Sequence, residues 1–305
     1  MVHNTPSPPV LCAFPSSTEL VDALAQFILK AQKESVEKKG RFTVALSGGS
    51  LPKQLAGLVN NPAVKWDKWY VAHPPASPHP SPFPSTTPPQ PLTQTFARSD
   101  ALPPAPALPA RAHRHVFYAD ERVVPLDHED SNHALCTREL FGKLPADGPQ
   151  PTIHTINAEL ADDLEELADA YEKELIGEFA VKDAARFPVF DLVLLGIGPD
   201  GHTASLFPGH ALLAEDDRWV AYIEDSPKPP PRRVTLTFPV LNHAARVAFV
   251  ATGAGKQDTL RTVLDEPEVG LPPSRVRPAH PGSLYWFVDE AAAEKVQYPR
   301  TQFKL

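Results

Sequence analysis

The sequence predicts an α/β protein with a three-layer α/β/α architecture, in which a mainly parallel, Rossmann-like sheet carries helices on both faces. Amphipathic helical segments alternate with short apolar segments along the chain of 305 residues. The segment at 189–195 is apolar at all but one position, which is typical of a strand that is buried on both faces. Glycines and polar residues follow several of the predicted strands, and open α/β sheets bind ligands at that edge.

The first helix is predicted to end near Lys39. Ser16 and Glu19 have the spacing of a capping box at its start, and Gly40 ends it. Its apolar residues recur at helical spacing, at Leu20, Leu24, Phe27, Ile28 and Ala31. This periodicity predicts an amphipathic helix that packs one face on the sheet.

The remaining elements alternate in the same way. Strands are predicted at 41–46, 116–119, 191–195, 219–223, 234–238, 247–251 and 284–288. Helices are predicted behind Pro52 and at 160–175, 257–264 and 290–296. Helical connections join parallel neighbours, so we expect one mainly parallel sheet.

The chain is predicted to form a single domain over residues 16–305, after a flexible N-terminus at residues 1–15. Residues 70–114 interrupt this domain with a proline-rich run that excludes helix and sheet. We expect this insertion to be disordered or polyproline-like. We interpret it as an unremoved intron or another gene-model error, with a ligand for proline-binding modules as the alternative.

Composition excludes several classes of protein. The formal charge of -8 argues against a nucleic-acid partner. No apolar run approaches the roughly 20 residues that a membrane span needs, and prolines replace the apolar core of a signal peptide. Two cysteines, Cys12 and Cys136, are too few for a disulfide framework. We therefore expect a cytoplasmic protein with no membrane partner.

Residues 196–209 follow a buried strand and read Gly-Ile-Gly-Pro-Asp-Gly-His-Thr-Ala-Ser-Leu-Phe-Pro-Gly. Glycines allow a backbone to approach a ligand closely, and His202 is the side chain best matched to proton transfer near neutral pH. We expect the chemistry of the chain here. The segment also fits G-x-G-x-x-G, but it lies late in the chain and is broken by prolines, which disfavours a nicotinamide site.

A second glycine turn, Ser47-Gly48-Gly49-Ser50, follows the strand at 41–46. Free N–H groups and the positive end of a helix dipole would favour a phosphate there. Two alternatives remain open. The turn is either an ordinary strand-to-helix connection, or a degenerate nucleophile elbow in which Ser47 attacks and Ala45 replaces the first glycine.

Charged residues flank three other strands. Asp120, Glu121 and Arg122 come directly after one strand, where Arg122 would meet an anionic substrate and the acids would order neighbouring donors. The alternative is a solvated loop with a local ion pair. Arg233 precedes the strand at 234–238, and Lys256 closely follows the strand at 247–251. Their positions favour a role at the site.

Five segments together resemble the 6-phosphogluconolactonase family, within the glucosamine/galactosamine-6-phosphate isomerase superfamily. In chain order they are 47–50, 119–125, 131–132, 196–209 and 230–237. The most specific of them is Asp-Gly-His-Thr-Ala-Ser-Leu-Phe-Pro at 200–208. The resemblance covers nearly the whole chain in the family's order, apart from 70–114 and the first dozen or so residues.

The resemblance implies hydrolysis of 6-phosphoglucono-δ-lactone to 6-phosphogluconate in the oxidative pentose phosphate pathway, without a metal or an organic cofactor. It implies that His202 takes a proton from the attacking water and that Asp200 helps to place the imidazole or the water. It assigns the binding of this small sugar-phosphate lactone to Ser47, Gly48, Gly49, Ser50, Asp120, Glu121, Arg122, Asn132, Gly198, Arg233 and Lys256.

Two alternatives remain. A glucosamine-6-phosphate deaminase or isomerase would carry Asn-Glu-Pro soon after the Gly-His pair, where this chain has Ser-Leu-Phe-Pro at 205–208. A non-catalytic sugar-phosphate sensor of a transcription regulator would carry a helix-turn-helix segment or a basic extension. A metal site at His128 and His133 is disfavoured, because their spacing matches no zinc signature.

Overall fold

The computed structural model describes residues 6–69, 115–179 and 186–304, so the prediction made for 70–114 lies outside the described residues. The strands are β1 (Val10–Phe14), β2 (Thr43–Leu46), β3 (His115–Tyr118), β4 (Asp120–Arg122), β5 (Ile153–His154), β6 (Leu192–Leu195), β7 (Val220–Ile223), β8 (Arg233–Leu236), β9 (Arg246–Ala251) and β10 (Ser283–Asp289). The α-helices are α1 (Ser17–Lys39), α2 (Leu51–Gln54), α3 (Asn132–Glu139), α4 (Leu164–Phe179), α5 (Phe238–His243), α6 (Gln257–Asp265), α7 (Pro272–Arg275) and α8 (Glu290–Ala293).

Seven of the described strands form one parallel sheet in the order β1-β10-β9-β6-β2-β3-β5, with helices on both faces, which confirms the predicted architecture. Three others form a small antiparallel sheet in the order β4-β8-β7. The expectation that 234–238 belongs to the parallel sheet is therefore wrong. A short loop joins β7 to β8, and parallel pairing needs a crossover of a dozen or more residues.

Strand β6 is buried on both faces of the sheet, which explains its continuously apolar sequence. Leu192 and Leu194 belong to the core on the face of the sheet covered by α1. Val193 and Leu195 belong to the core on the opposite face, with α4 and α6. Successive side chains of a strand point to opposite faces, so a strand covered on both sides is apolar at every position.

Helix α1 has the caps that the sequence predicts. The Ser16 side chain accepts a hydrogen bond from the Glu19 N–H at 3.2 Å, and Gly40 ends the helix with a φ of 73°. One face is buried, as the periodicity indicates, and the other is exposed. Among the described residues, no helix is long and apolar enough to cross a membrane.

The prediction of a flexible N-terminus over residues 1–15 is wrong for Val10–Phe14, which form β1. This strand pairs in parallel with β10, and Leu11 is fully buried. On its other side the Thr301 N–H donates to the Leu11 carbonyl at 2.7 Å. The neighbouring prolines suggested an irregular segment, but pairing partners distant in the chain order it.

A buried carboxylate joins three elements at the amino-terminal edge of the sheet. Asp191, which precedes β6, accepts hydrogen bonds from the Thr43 N–H at 3.0 Å and the Thr43 hydroxyl at 2.9 Å. Lys39, at the end of α1, pairs with it at 2.8 Å. Because buried polar groups are costly when unpaired, this carboxylate fixes how α1, β2 and β6 meet.

We expect Asp191→Ala to lower the free energy of unfolding by about 3 kcal/mol, because it leaves the buried Thr43 groups without an acceptor. Asp217→Ala is the control, since Asp217 pairs with Arg186 on the exposed surface and should cost about 0–1 kcal/mol. Urea unfolding measures both values. Equal losses in the two variants would contradict the role given to Asp191.

Candidate active site

A cavity of about 210 Å³ lies at the carboxyl edge of the parallel sheet. Strands β9, β6, β2 and β3 are neighbours in the sheet, and the segments that follow them form the walls. The predicted site residues that line this cavity are Ser47, Gly48, Gly49, Ser50, Asp120, Arg122, Gly198, His202 and Lys256. The remaining four, Asp200, Glu121, Asn132 and Arg233, lie behind the lining. The first three form hydrogen bonds to lining residues, and Arg233 lies opposite the lining residue Arg122 in the pairing of β8 with β4.

His202 and Asp200 form a hydrogen-bonded pair beside the cavity. Asp200 Oδ1 lies 2.6 Å from His202 Nδ1 and 2.7 Å from Lys228 Nζ. Burial would raise the pKa of Asp200, but hydrogen bonds from Lys228 and His202 outweigh it and hold the pKa below its usual range. The ionised carboxylate only accepts, so we assign the ring proton to Nδ1. The Nε2 lone pair is then available to take a proton.

The protonation state of His202 follows from its surroundings. Burial lowers the pKa of the imidazole, and the Asp200 carboxylate partly opposes this effect. The net direction is downward from 6.5, so the ring is neutral near pH 7. A neutral imidazole with one free nitrogen can act as a general base.

Close contact with the His202–Asp200 pair requires glycine at position 198. A Cβ atom there would lie 2.1 Å from His202 Nδ1 and 2.4 Å from Asp200 Oδ1. The same turn contains Ala204, which lines the cavity with a φ of 49°. Such a left-handed conformation is uncommon for residues other than glycine and is often found at functional sites.

Asp120 forms the buried floor of the cavity. Its carboxylate accepts hydrogen bonds from the Ser205 hydroxyl at 2.9 Å and from Asn132 Nδ2 at 3.3 Å. The Ser47 hydroxyl also donates to it, at 3.5 Å, and Arg122 Nε lies 3.9 Å away. Asp120 is 4% exposed, so the alternative of a solvated loop is wrong. This carboxylate connects three wall segments of the cavity.

Glu121 acts one layer behind the cavity. Its carboxylate accepts from the Asn132 and His133 N–H groups at 2.7 and 2.8 Å, and from the Ser131 hydroxyl at 3.2 Å. Burial raises the pKa of Glu121 to about 7, although these backbone hydrogen bonds oppose the rise. The side chain therefore fixes the start of α3, which holds Asn132 against the glycine turn.

The glycine turn at 47–50 packs tightly against α3. A Cβ atom on Gly48 would lie 1.8 Å from Asn132 Oδ1, and Gly49 has a φ of 69°, so both positions favour glycine. Helix α2 behind the turn has only four residues. The predicted helix dipole is therefore small, and backbone N–H groups with nearby cations are what could favour an anion here.

Within the part of the chain that the structure describes, two lysine or arginine side chains line the cavity. Arg122 lines it and donates to the Asp130 carbonyl at 3.0 Å. Lys256 lines it from the segment after β9 and donates to the Ile197 carbonyl at 2.6 Å. Burial, and secondarily the charge of Lys228, lower the pKa of Lys256. The cavity thus combines positive charge with a neutral histidine.

Arg233 does not line the cavity. It is 2% exposed, and its guanidinium donates to the carbonyls of Lys228, Pro229 and Pro230 at 2.9, 3.2 and 2.9 Å. In the antiparallel pairing of β4 and β8, the backbone of Arg233 lies opposite that of Arg122. The structure therefore places Arg233 directly behind the lining, with its donors on a proline-rich loop.

Three polar residues at this site, Thr252, Ser205 and Lys228, are not among the predicted site residues. Thr252 lines the cavity and accepts a hydrogen bond from Gln54 Nε2 at 3.1 Å; its position directly after a predicted strand could have identified it. Ser205 lies in the quoted turn, but nothing in the sequence indicates its contact with Asp120. Lys228 lies in the loop between β7 and β8, far in sequence from its partner Asp200.

Known proteins resemble this chain over most of its length. The family model described as "Glucosamine-6-phosphate isomerases/6-phosphogluconolactonase" matches residues 15–73 and 87–286. A probable 6-phosphogluconolactonase of Schizosaccharomyces pombe is 40% identical over 290 residues, which are 93% of this chain and 95% of that protein. The 6-phosphogluconolactonase of Homo sapiens is 41% identical over 299 residues, covering 96% of each.

A solved structure shows the same similarity in three dimensions. The 6-phosphogluconolactonase of Trypanosoma cruzi aligns with a TM-score of 0.70 at 26% identity. The alignment covers 97% of this chain and 99% of that one.

We expect Gly198→Ala to break the hydrogen bond between Asp200 and His202, because the new methyl group would occupy the space of both side chains. Gly196→Ala is the matched control in the same turn, since a Cβ atom there meets nothing within 4 Å. The downfield NMR signal of the proton on His202 Nδ1 reports the bond. Its persistence in Gly198→Ala would contradict this geometry.

Proposed function

Because the chain belongs to the glucosamine-6-phosphate isomerase/6-phosphogluconolactonase family, we propose that it hydrolyses 6-phosphoglucono-δ-lactone to 6-phosphogluconate, a step of the oxidative pentose phosphate pathway. The observation that carries this proposal is the 40–41% identity with relatives named as this lactonase over nearly their whole length. The placement of a histidine–aspartate pair beside a cavity with two cations supports it.

In the proposed reaction, His202 Nε2 takes a proton from a water molecule as its oxygen attacks the lactone carbonyl carbon. The resulting tetrahedral oxyanion collapses by breaking the bond between that carbon and the ring oxygen. The ring oxygen leaves with the proton that the imidazolium returns, which gives the hydroxyl and carboxylic acid of the open product. The acid then loses its proton to solvent.

Asp200 has two roles in this proposal. Its hydrogen bond to Nδ1 selects the tautomer in which Nε2 faces the water, and its negative charge stabilises the imidazolium that forms during attack. Both roles require an ionised carboxylate, in agreement with its lowered pKa. His202 and Asp200 thus form a base and the group that orients it.

Phosphate recognition is assigned to the opposite wall of the cavity. The turn at 47–50 offers a glycine backbone and the Ser50 side chain, and Arg122 and Lys256 offer positive charge to the phosphate and the oxyanion. Asp120 holds Arg122 near the turn. Arg233 adds positive charge from behind this wall rather than a direct contact.

The proposal is tested by the hydrolysis of 6-phosphogluconolactone above its spontaneous rate, with glucosamine 6-phosphate as the parallel substrate. Protein with and without residues 70–114 is assayed. Lactone turnover without release of ammonia supports the proposal. Deamination without lactone turnover would assign the chain to the other activity of its family, and binding without any turnover would make it a sensor.

We expect His202→Ala to lower kcat by about 10²–10⁴-fold, the range supplied by a general base, while the affinity for 6-phosphogluconate stays nearly unchanged. His210→Ala is the control, because His210 also pairs with an aspartate, Asp225, at 3.0 Å but lies outside the cavity lining. Steady-state kinetics and product titration measure the two quantities. A retained rate in His202→Ala would remove it as the base.

We expect Arg122→Met and Lys256→Met to reduce kcat/KM for the phosphorylated lactone by about 10–100-fold each, the value of one charge-assisted hydrogen bond. Their effect on unphosphorylated gluconolactone should be smaller. Lys33→Met, on the exposed face of α1, is the control. Equal losses on both lactones would show that these cations do not recognise the phosphate.

A further inference from the structure

We propose that Lys228 is a positioning residue for the His202–Asp200 pair and that Arg233 holds it in place through the backbone of the loop at 228–230. The catalytic consequence rests on the lactonase function proposed above. The contacts themselves do not depend on that function, and a direct measurement on His202 can test them separately.

Lys228 lies at the junction of the pair. Its ammonium group donates to Asp200 Oδ1 at 2.7 Å, on the same oxygen that accepts from His202. It also lies 3.4 Å from His202 Nδ1. Since that nitrogen carries a proton, the lysine and the imidazole share one acceptor instead of bonding to each other. The shared oxygen places a fixed positive charge beside the base.

The loop that carries Lys228 is held by hydrogen bonds to its own carbonyl groups. Pro229, Pro230 and Pro231 have no N–H groups and cannot donate to carbonyls within the loop, so donors to their carbonyls must come from other residues. Arg233 supplies hydrogen bonds to two of these carbonyls, those of Pro229 and Pro230, and a third to the carbonyl of Lys228. The Ser226 hydroxyl donates a further one to the Lys228 carbonyl at 2.8 Å. A buried guanidinium therefore sets the position of an exposed loop.

Arg233 also reaches His202 through an aromatic ring. Its guanidinium lies over the Phe207 ring at 5.5 Å, and the Phe207 ring packs on the imidazole at 4.8 Å. The same side chain therefore supports both the loop that carries Lys228 and the ring against which His202 packs. This arrangement accounts for an arginine that is buried next to the cavity but does not line it.

The charges around His202 determine what Lys228 does. Asp200 on its own turn and Asp120 from β4 favour the imidazolium, whereas Lys228 disfavours it, in addition to burial. Arg122 and Lys256 contribute positive charge from the cavity walls. Removing the lysine should therefore raise the pKa of His202. The neutral base would then be lost at a higher pH than in the unmodified protein.

The deciding experiment is an NMR titration of the His202 ring, assigned by comparison with His202→Asn, in the full-length protein. We expect Lys228→Met to raise the titration midpoint by about half a pH unit or more, and Lys228→Arg to restore it. The acid limb of kcat/KM for the lactone should move in the same direction. Lys33→Met should leave both unchanged.

An unchanged or lowered midpoint in Lys228→Met would overturn the role of Lys228. A shifted midpoint in a protein without lactone turnover would support that role and reject the proposed function instead. Arg233→Met should move the midpoint in the same direction as Lys228→Met and add nothing to it in the double variant. If Arg233→Met does not fold, Arg233→Lys is measured instead, because the single nitrogen of an ammonium group cannot reproduce the contacts that the guanidinium makes from both Nε and Nη2. A wild-type midpoint in Arg233→Lys would overturn the clamp.

Discussion

Parallel pairing of β9, β6, β2 and β3 is the constraint on which the site depends. Leu46, the last residue of β2, is in register with Leu194 on one side and Tyr118 on the other, and Leu195 is in register with Phe249. The four strands therefore end at nearly the same height. Segments that are distant in sequence leave the sheet together and enclose one cavity.

Hydrogen bonds just beyond the strands extend this alignment into the walls. The Ser47 N–H donates to the Leu194 carbonyl at 3.0 Å, and the Ala119 N–H donates to the Leu46 carbonyl at 2.8 Å. Asp120 then joins the turn at 47–50 to Ser205 through its buried carboxylate. A buried charge is tolerated only when it is well paired, so Asp120 both requires and enforces the arrangement of these segments.

The protonation of His202 depends on opposing effects of its surroundings. Burial favours the neutral ring, the Asp200 carboxylate favours the protonated ring, and the lysine of the proline loop reduces the effect of that carboxylate. A glycine at 198 leaves space for the pair to stay in contact. The protonation and contact of the His202–Asp200 pair therefore depend on the turn after β6 of the large sheet and on the loop between β7 and β8 of the small sheet.

Much of the fold could be predicted from sequence, because the signals are local. The periodicity and caps of α1, the continuous apolar run of β6 and the glycines of the two turns depend only on neighbouring residues. The rule that polar residues after parallel strands meet at one edge also identified most of the cavity lining. The ordering of β1, the separate sheet of β4, β8 and β7, and the short α2 could not be read in this way.

The sequence by itself determined the alternation of elements, the histidine turn and the residues that follow the strands, since each is encoded by nearby side chains. Only the tertiary structure decided that Lys228 meets Asp200 and that the Arg233 guanidinium packs on the Phe207 ring. These contacts join residues of the small sheet to a turn of the large one. Their formation depends on how the two sheets pack, which no local pattern records.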